Sequence, residues 1–165
     1  AIDGPCASGK TTLANYLASQ FTADIIHMDD FFLPPAYRTR QRLAEPGGNI
    51  HYERFTEEVV PGLVAHEAFD YKVFDCGRMD YSGLKRIEAR ELLLVEGSYS
   101  MRPEWQPLYD LKIYLEVSYE EQIRRLQDRS PQRLGDFKEF WIPMENQYFE
   151  FFAVKDYCDM VIFNQ

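Results

Sequence analysis

Cysteine is scarce in this sequence, and no two cysteines are close together. The three cysteines are Cys6, Cys76 and Cys158. Their wide spacing shows neither the framework of a disulfide-stabilised secreted domain nor a pair with metal-ligand spacing. A reducing cytoplasm is therefore the compartment that we expect.

Long apolar runs are also absent. No run approaches the roughly 20 residues that a membrane-spanning helix needs, so we expect no association with a membrane. No secretory signal peptide is visible. The sequence starts without Met, at the end of a predicted strand, so we expect further residues before Ala1 and after Gln165 and an incomplete N-terminal strand.

Positive charge is in short supply. The chain of 165 residues has 18 Lys and Arg against 27 Asp and Glu, which gives a formal net charge of −9. This balance argues against a nucleic-acid-binding face, which needs a basic patch. It does not exclude a nucleotide ligand held by backbone dipoles, and the length predicts a single domain over residues 1–165.

The most informative stretch is residues 4–12, which read Gly-Pro-Cys-Ala-Ser-Gly-Lys-Thr-Thr. They match the G-x-x-x-x-G-K-[ST] pattern of a phosphate-binding loop, in which glycines let the backbone N–H groups turn toward a phosphate. Lys10 would bring a positive charge to the outer phosphates of ATP, and the Thr11 hydroxyl would bind Mg²⁺. The residues predicted to contact the nucleotide here are Gly4, Ala7, Ser8, Gly9, Lys10, Thr11 and Thr12.

Strand-like and helix-like segments alternate along the chain. The five strand-like segments cover residues 1–3, 24–28, 92–95, 111–117 and 160–163. A helix is predicted after the phosphate loop, because Leu13, Leu17 and Phe21 follow at helical spacing. This alternation predicts an α/β fold: a three-layer α/β/α sandwich around a five-stranded parallel sheet.

Local sequence patterns predict several helices and a hairpin outside the sheet. Phe55, Val59 and Leu63 suggest a helix that Pro61 must kink or start afresh. A small hairpin is predicted from Val73–Phe74 and Leu84–Ile87 around Gly77 and Gly83. Ser118 and Glu121 form a capping-box pattern before another helix. The aromatic residues between positions 137 and 152 repeat at helical spacing, and we expect most of them to pack in the core.

Three acidic residues directly follow apolar runs. Because ligands of an open α/β sheet bind at the carboxyl ends of its strands, Asp29, Asp30 and Glu96 should lie near the phosphate loop. Asp29 is the candidate to accept the proton of a substrate hydroxyl, and Asp30 either contacts substrate, supports the metal or caps a turn. Glu96 is predicted to hold Mg²⁺, with Thr11 and Asp29 as further candidate ligands. The alternative is that these acids are solvated turn residues.

A basic cluster interrupts the otherwise acidic chain near residues 124–135. Arg124 is predicted to contact the nucleotide, whereas Arg125 and Arg129 share a helix face and are predicted to stabilise the transferring phosphoryl group, with Arg133 beyond. The break after this helix is typical of a mobile lid. The alternative is a solvated helix face whose arginines pair with Glu120, Glu121 and Asp128.

In combination, these motifs resemble the P-loop nucleoside kinases, which include uridine kinase, nicotinamide riboside kinase, phosphoribulokinase and pantothenate kinase. The resemblance spans nearly the whole chain and is carried by the phosphate loop, Asp29–Phe32, Val95–Gly97, Tyr119–Glu121 and Arg124, Arg125 and Arg129. It implies that Asp29 lies beside the acceptor hydroxyl, that Glu96 serves Mg²⁺ and that the lid arginines contact phosphate. Trp141–Met144 is similar to a segment that follows the lid in the riboside kinase branch.

The chain departs from this family in its acceptor-binding segments. The stretch comparable to the Asn-Phe-Asp-His-Pro segment of uridine kinases is Asn49–Phe55, so His51 and Tyr52 are the candidates to contact the acceptor, Tyr52 by stacking on a ring. Members of the family also have a later stretch that begins with Tyr-Asp and ends with a histidine. The comparable stretch here, which contains Asp70, lacks that histidine. These differences predict an acceptor other than uridine.

The resemblance implies transfer of the γ-phosphoryl group of Mg-ATP to a hydroxyl of a nucleoside-like small molecule. Related alternatives are a kinase of another metabolite, such as a pantothenate-like alcohol or a sugar phosphate, and a non-catalytic nucleotide-binding protein. A GTP-driven switch would usually show an Asn-Lys-x-Asp segment, and none exists here. Oligomers are common in the family, so a homo-oligomer is a further expectation.

Overall fold

Seven strands and seven helices make up the computed structural model, which describes all 165 residues. The strands are β1 (Ile2–Asp3), β2 (Asp24–His27), β3 (Phe69–Asp75), β4 (Asp80–Ile87), β5 (Leu93–Glu96), β6 (Ile113–Glu116) and β7 (Met160–Phe163). The helices are α1 (Lys10–Phe21), α2 (Arg40–Leu43), α3 (Tyr52–Glu58), α4 (Val60–Ala65), α5 (Tyr119–Arg129), α6 (Leu134–Asp136) and α7 (Ile142–Phe151).

The central sheet has five parallel strands in the order β2-β5-β1-β6-β7. All five are strands that the sequence predicts, so the predicted α/β fold is confirmed. β1 lies at the centre, and the carboxyl ends of β1, β2 and β5 are side by side. The segments that follow these three strands therefore meet at one edge of the sheet, where parallel α/β proteins bind ligands.

The core is divided between the two faces of the sheet. The larger cluster has 15 buried residues and includes Phe31, Phe55, Trp105 and Tyr148. The smaller cluster has 5 buried residues, among them Ala14 of α1, and packs α1 against the sheet. Both faces are thus covered, as the apolar strands require.

Pro61 lies in the first turn of α4, so it starts a new helix after α3 instead of kinking one long helix. This position suits proline, because the first-turn N–H has no partner within the helix. Ser118 caps α5 by accepting the Glu121 N–H, as the capping-box pattern predicts. The Glu121 carboxylate does not reach back to Ser118, because it pairs with Arg124 and Arg125 instead.

The predicted hairpin exists, but it is longer than the sequence suggests. β3 and β4 pair in antiparallel orientation outside the main sheet, with an irregularity between Val73 and Phe74. Gly77 lies in the turn, whereas Gly83 lies inside β4 opposite Val73, so its predicted place in the turn is wrong. The register leaves Ser82 without a partner at this point, which is the one-residue excess of a β-bulge.

The aromatic segment before the carboxyl end is only partly core. Tyr148 is fully buried, and Phe149 and Phe152 pack against the larger cluster. Phe140, by contrast, is 54% exposed. The helix is π-helical over Phe137–Trp141 before α7 begins, and none of the aromatic residues in this turn is buried.

None of the helices combines the length and the apolar composition that a membrane crossing requires.

Candidate active site

The phosphate loop has the backbone that its sequence pattern requires. Gly4 and Gly9 have φ values of 140° and 98°, in the region that favours glycine. A Cβ on Gly4 would lie 2.2 Å from the carbonyl oxygen of Leu115, so no larger residue fits there. The loop ends where α1 begins at Lys10, and its amides therefore join the positive end of the helix dipole.

Two side chains of this loop, a hydroxyl and an ammonium group, have hydrogen-bonding capacity that an anion could use. The buried Ser8 hydroxyl has no hydrogen-bond partner. The Lys10 ammonium, only 8% exposed as a residue, donates to the carbonyl oxygens of Gly4 at 2.7 Å and Pro5 at 2.8 Å. This lysine forms no ion pair with a carboxylate and bonds only to its own loop, so its ammonium group is available to a phosphate.

Thr11 and Glu96 form a pair of oxygen donors beside the loop. The Thr11 hydroxyl lies 3.1 and 3.2 Å from the two carboxylate oxygens of Glu96. His27 and Glu96 face each other on the neighbouring strands β2 and β5, and their Nδ1 and Oε1 atoms are 2.5 Å apart. His27 thus fixes the orientation of the Glu96 carboxylate.

These donors fit Mg²⁺ better than a metal held entirely by protein. No group of three or more His, Cys, Asp or Glu side chains is arranged to hold a metal. Mg²⁺ usually takes one or two protein oxygens and completes its shell with water and substrate phosphates. A hydroxyl and a carboxylate next to a phosphate loop match that requirement.

Asp29 and Asp30 are adjacent in sequence but have different surroundings, because the chain makes a 3-10 turn over Met28–Phe31. Asp29 lines the main cavity beside the phosphate loop. Loss of hydration among the surrounding protein atoms raises the pKa of Asp29, Lys10 lowers it, and Glu96 and Glu145 raise it further.

The Asp30 carboxylate is outside that cavity, where the Tyr71 hydroxyl donates to it at 2.7 Å. The backbone carbonyl of Asp30 accepts a hydrogen bond from Arg54. Asp30 therefore connects the turn after β2 to the hairpin, and the structure does not bring its carboxylate to the phosphate loop.

The predicted arginines do not all lie in the same place: three line the cavity and one does not. Arg125 donates to the carbonyl oxygens of Ala7 at 3.1 Å and Asn164 at 3.2 Å, so it lies against the phosphate loop. Arg129 and Arg133 line the same cavity, and both lie near Phe137, with guanidinium carbons 5.8 and 5.7 Å from the ring centre.

Arg124 does not enter the cavity. Its side chain is 62% exposed and pairs with Glu121 and Asp128, which is the solvated arrangement considered as an alternative. Arg124 first and Arg125 second lower the pKa of Glu121 to about 2.

His51 and Tyr52 lie away from the phosphate loop. His51 lines a separate cavity of about 380 Å³. The Tyr52 ring lies between two guanidinium groups, with the Arg42 and Arg102 carbons 3.7 and 4.0 Å from its centre. Both faces of that ring are therefore covered by protein groups.

The sequence reasoning missed two charged residues of the site. Arg38 lines the cavity from the loop before α2, and Glu145 lines it from α7. The Glu145 carboxylate accepts hydrogen bonds from the Cys6 N–H and the Ser98 hydroxyl, both at 2.8 Å. An acid at the first turn of a helix otherwise rich in aromatic residues was the only available signal for Glu145.

The resulting cavity is large and basic. Its volume is about 1160 Å³, slightly above the range of roughly 300–1,000 Å³ that is usual for small-molecule pockets. Its charged lining residues are the basic Lys10, Arg38, Arg125, Arg129 and Arg133 and the acidic Asp29, Glu96 and Glu145. An excess of positive charge here, in a chain of net charge −9, marks a site for anions.

Comparison with known proteins gives matches in structure but not in sequence. No protein-family model and no curated protein sequence matches the chain. A structure described as a possible uridine kinase from Bacillus stearothermophilus has a TM-score of 0.73 and 23% identity, over 98% of this chain and 85% of that one.

A second structure, described as a "putative fructose transport system kinase" from Silicibacter sp. TM1040, has a TM-score of 0.76 and 21% identity. The alignment covers 97% of this chain and 86% of that one. At these identities the likeness concerns the fold. The chain therefore shares its α/β fold with both of these structures.

Proposed function

We propose that this chain is an ATP- and Mg²⁺-dependent kinase that transfers the γ-phosphoryl group of ATP to a hydroxyl of a nucleoside-like small molecule. One observation carries the proposal: the phosphate loop, the Thr11–Glu96 oxygen pair and the Asp29 carboxylate line one cavity. Each is a part that phosphoryl transfer to an alcohol requires.

The donor side uses the loop and its lysine. The backbone N–H groups at the start of α1 point at the β- and γ-phosphates, and Lys10 leaves the carbonyl oxygens of Gly4 and Pro5 to bind them. Thr11 and Glu96 would hold Mg²⁺, which when bound would supply positive charge for the phosphate oxygens. His27 keeps the Glu96 carboxylate oriented.

The acceptor side uses Asp29. Its carboxylate accepts the proton of the acceptor hydroxyl while the oxygen of that hydroxyl bonds to the γ-phosphorus and the bond from phosphorus to the β–γ bridging oxygen breaks. The products are ADP and a phosphate ester. Desolvation by the surrounding protein raises the pKa of Asp29, which makes its carboxylate a stronger base than a fully hydrated one.

The lid completes the site. We place it at residues 124–135 of a single-domain chain, with Arg125 and Arg129 directed at the transferring group. Arginines in these positions stabilise the charge spread over the equatorial oxygens, and closure excludes water that would otherwise be phosphorylated in place of the acceptor.

A second candidate acceptor is a sugar-sized metabolite that carries its own charge. The observation that favours it is the number of arginines in the cavity, which exceeds what the nucleotide phosphates need.

The test is ADP formation from Mg-ATP in the presence of uridine, cytidine, nicotinamide riboside, pantothenate, ribulose 5-phosphate, fructose or no acceptor. Turnover that requires one acceptor and is lost in Lys10→Ala and Asp29→Asn supports the proposal. Lys138→Ala and Asp156→Asn, at exposed sites, are the matched controls. ATP binding without acceptor-dependent turnover would contradict it.

A further inference from the structure

Three arginines in the main cavity have no carboxylate partner. The chain has twelve arginines, of which seven form ion pairs. Of the remaining five, Arg38, Arg129 and Arg133 line the cavity, and Arg40 and Arg78 do not. Acidic residues outnumber basic ones in this chain by 27 to 18, so a lack of acids does not explain these unpaired arginines.

Arg38 is held in place by its own segment. Its Nε donates to the carbonyl oxygen of Leu33 at 2.6 Å, and its two terminal nitrogens have no hydrogen-bond partner. Leu33 is buried and donates its N–H to the carbonyl oxygen of Asn49 at 2.9 Å, which anchors the segment. The guanidinium is therefore positioned before any ligand arrives, and its free edge is available for two parallel hydrogen bonds.

The segment that carries Arg38 locates this guanidinium within the cavity. Cys76 lies in the turn between β3 and β4 and lines the cavity. The surrounding protein and Asp29 raise the pKa of its thiol, whereas Arg38 and Arg133 lower it. Arg38 donates to Leu33, which follows Asp29 by four residues in the same segment, and both Arg38 and Asp29 line the cavity. Arg38 is therefore on the Asp29 side of the cavity, which is the acceptor side of the proposed function, and Arg133 lines the same cavity.

The donor nucleotide does not account for these two arginines. Lys10, Arg125 and the loop amides are already arranged at the phosphate loop. A neutral acceptor would leave Arg38 and Arg133 beside Asp29 with their positive charges uncompensated. An anionic group in the acceptor would satisfy both.

We infer that the acceptor carries a phosphate or carboxylate group in addition to its reacting hydroxyl, and that Arg38, assisted by Arg133, binds this group. The inference rests on the proposed function, and it selects the charged candidate over a neutral nucleoside. Arg38 is then a specificity-determining residue: it distinguishes acceptors by charge while Asp29 acts on the hydroxyl.

The test compares acceptors that differ only in the anionic group. Ribulose 5-phosphate against ribulose tests phosphate, and pantothenate against pantothenyl alcohol tests carboxylate. We expect one anionic compound to be the better substrate by kcat/KM. Arg38→Gln should raise the KM for that compound by roughly 10- to 100-fold, the loss expected for a hydrogen bond to a charged group, with little change in the KM for ATP. Arg40→Gln, at a neighbouring unpaired arginine outside the cavity, should leave both values unchanged.

Two results would overturn the inference while leaving a kinase in place: preference for the neutral member of each pair, or an unchanged acceptor KM in Arg38→Gln. If no compound is turned over, thermal stabilisation by each anionic compound is measured with a non-hydrolysable ATP analogue bound. Stabilisation lost in Arg38→Gln but kept in Arg40→Gln supports the anion site, and its absence in the wild type refutes it. Failure of the ATP analogue itself to bind contradicts the proposed function separately.

Discussion

The carboxylate of Glu145 accepts a hydrogen bond from the backbone N–H of Cys6 at 2.8 Å and so connects α7 to the phosphate loop. Its other oxygen accepts from the Ser98 hydroxyl, also at 2.8 Å. Glu145 is only 6% exposed. Burial and the neighbouring Glu145 raise the pKa of the Cys6 thiol, so the thiol stays protonated at neutral pH.

Loss of this contact should weaken both the fold and nucleotide binding. Glu145→Ala leaves the Cys6 N–H without its acceptor, and we expect the free energy of unfolding to fall by about 1–3 kcal/mol, with a higher KM for ATP. Glu145→Gln keeps an oxygen for Cys6 and can donate to Ser98, so it should retain most of the stability. Chemical denaturation measures the difference, with the exposed Glu150→Gln as the control. Equal stability of the alanine variant and the wild type would contradict this role.

The same glutamate should help to raise the pH at which activity is lost in acid. Glu145 is one of the charges that raise the pKa of Asp29. A base works only when ionised, so kcat/KM falls as the pH drops through its pKa, and a raised pKa moves that fall to higher pH. Glu145→Gln removes a negative neighbour and should shift the acid limb of the kcat/KM profile to lower pH. An acid limb that stays in place in Glu145→Gln would contradict this prediction.

The parts of the site that lie close together in sequence could be predicted, because short-range geometry determines them. The phosphate loop, its helix and the acids at the strand ends follow from local patterns and from the rule that parallel strands end at one edge. The separation of Asp29 from Asp30 could not be predicted. It depends on a 3-10 turn and on a hydrogen bond from Tyr71, 41 residues away.

The positions of Arg38 and Glu145 in the site could not be predicted either, because they depend on contacts between distant segments. Arg38 lies in an irregular segment whose path depends on the contact of Leu33 with Asn49. Glu145 reaches the loop only because α7 packs across the core, 139 residues after Cys6. Likewise, Arg124 and Arg125 have the same sequence signal, and only the rotation of α5 about its axis decides that Arg125 reaches Ala7.

The contact between His27 and Glu96 should affect the metal requirement. The His27 ring holds the Glu96 carboxylate from the neighbouring strand. His27→Ala should raise the Mg²⁺ concentration for half-maximal activity by roughly 10-fold, the lower end of losses from removing a residue that orients a metal ligand. The control is His66→Asn at an exposed helix end, where asparagine tolerates the φ of 54°. An unchanged Mg²⁺ dependence in His27→Ala would refute this role.

The packing of α4 on the hairpin should tolerate no side chain at Gly62. A Cβ there would lie 2.1 Å from a ring carbon of Phe69, whereas a Cβ on Gly135 would meet nothing within 4 Å. Gly62→Ala should lower the free energy of unfolding by about 1–3 kcal/mol through overpacking. Gly135→Ala should be neutral or slightly stabilising, because alanine favours helix. Equal effects of the two substitutions on denaturation midpoints would contradict the predicted clash.

The hydrogen bond from Tyr148 to Asp3 should be worth more at alkaline than at acid pH. Burial raises the pKa of Asp3 to about 6 from 3.8, although the N–H groups of Gly4 and Met101 lower it. The folded chain thus binds a proton at Asp3 more tightly than the unfolded chain does. The contribution of Asp3 to the free energy of unfolding therefore falls as the pH rises from about 4 to about 6.

The Tyr148 hydroxyl donates to the Asp3 carboxylate at 3.0 Å and favours its ionised form. Tyr148→Phe should cost about 1–3 kcal/mol at pH 8, where Asp3 is ionised, and clearly less at pH 4, where it is protonated in the folded state. Urea denaturation at the two pH values measures the difference, with the exposed Tyr157→Phe as the control. A loss of equal size at both pH values would contradict this prediction, because the hydrogen bond from Tyr148 should contribute more when the Asp3 carboxylate is ionised than when it is protonated.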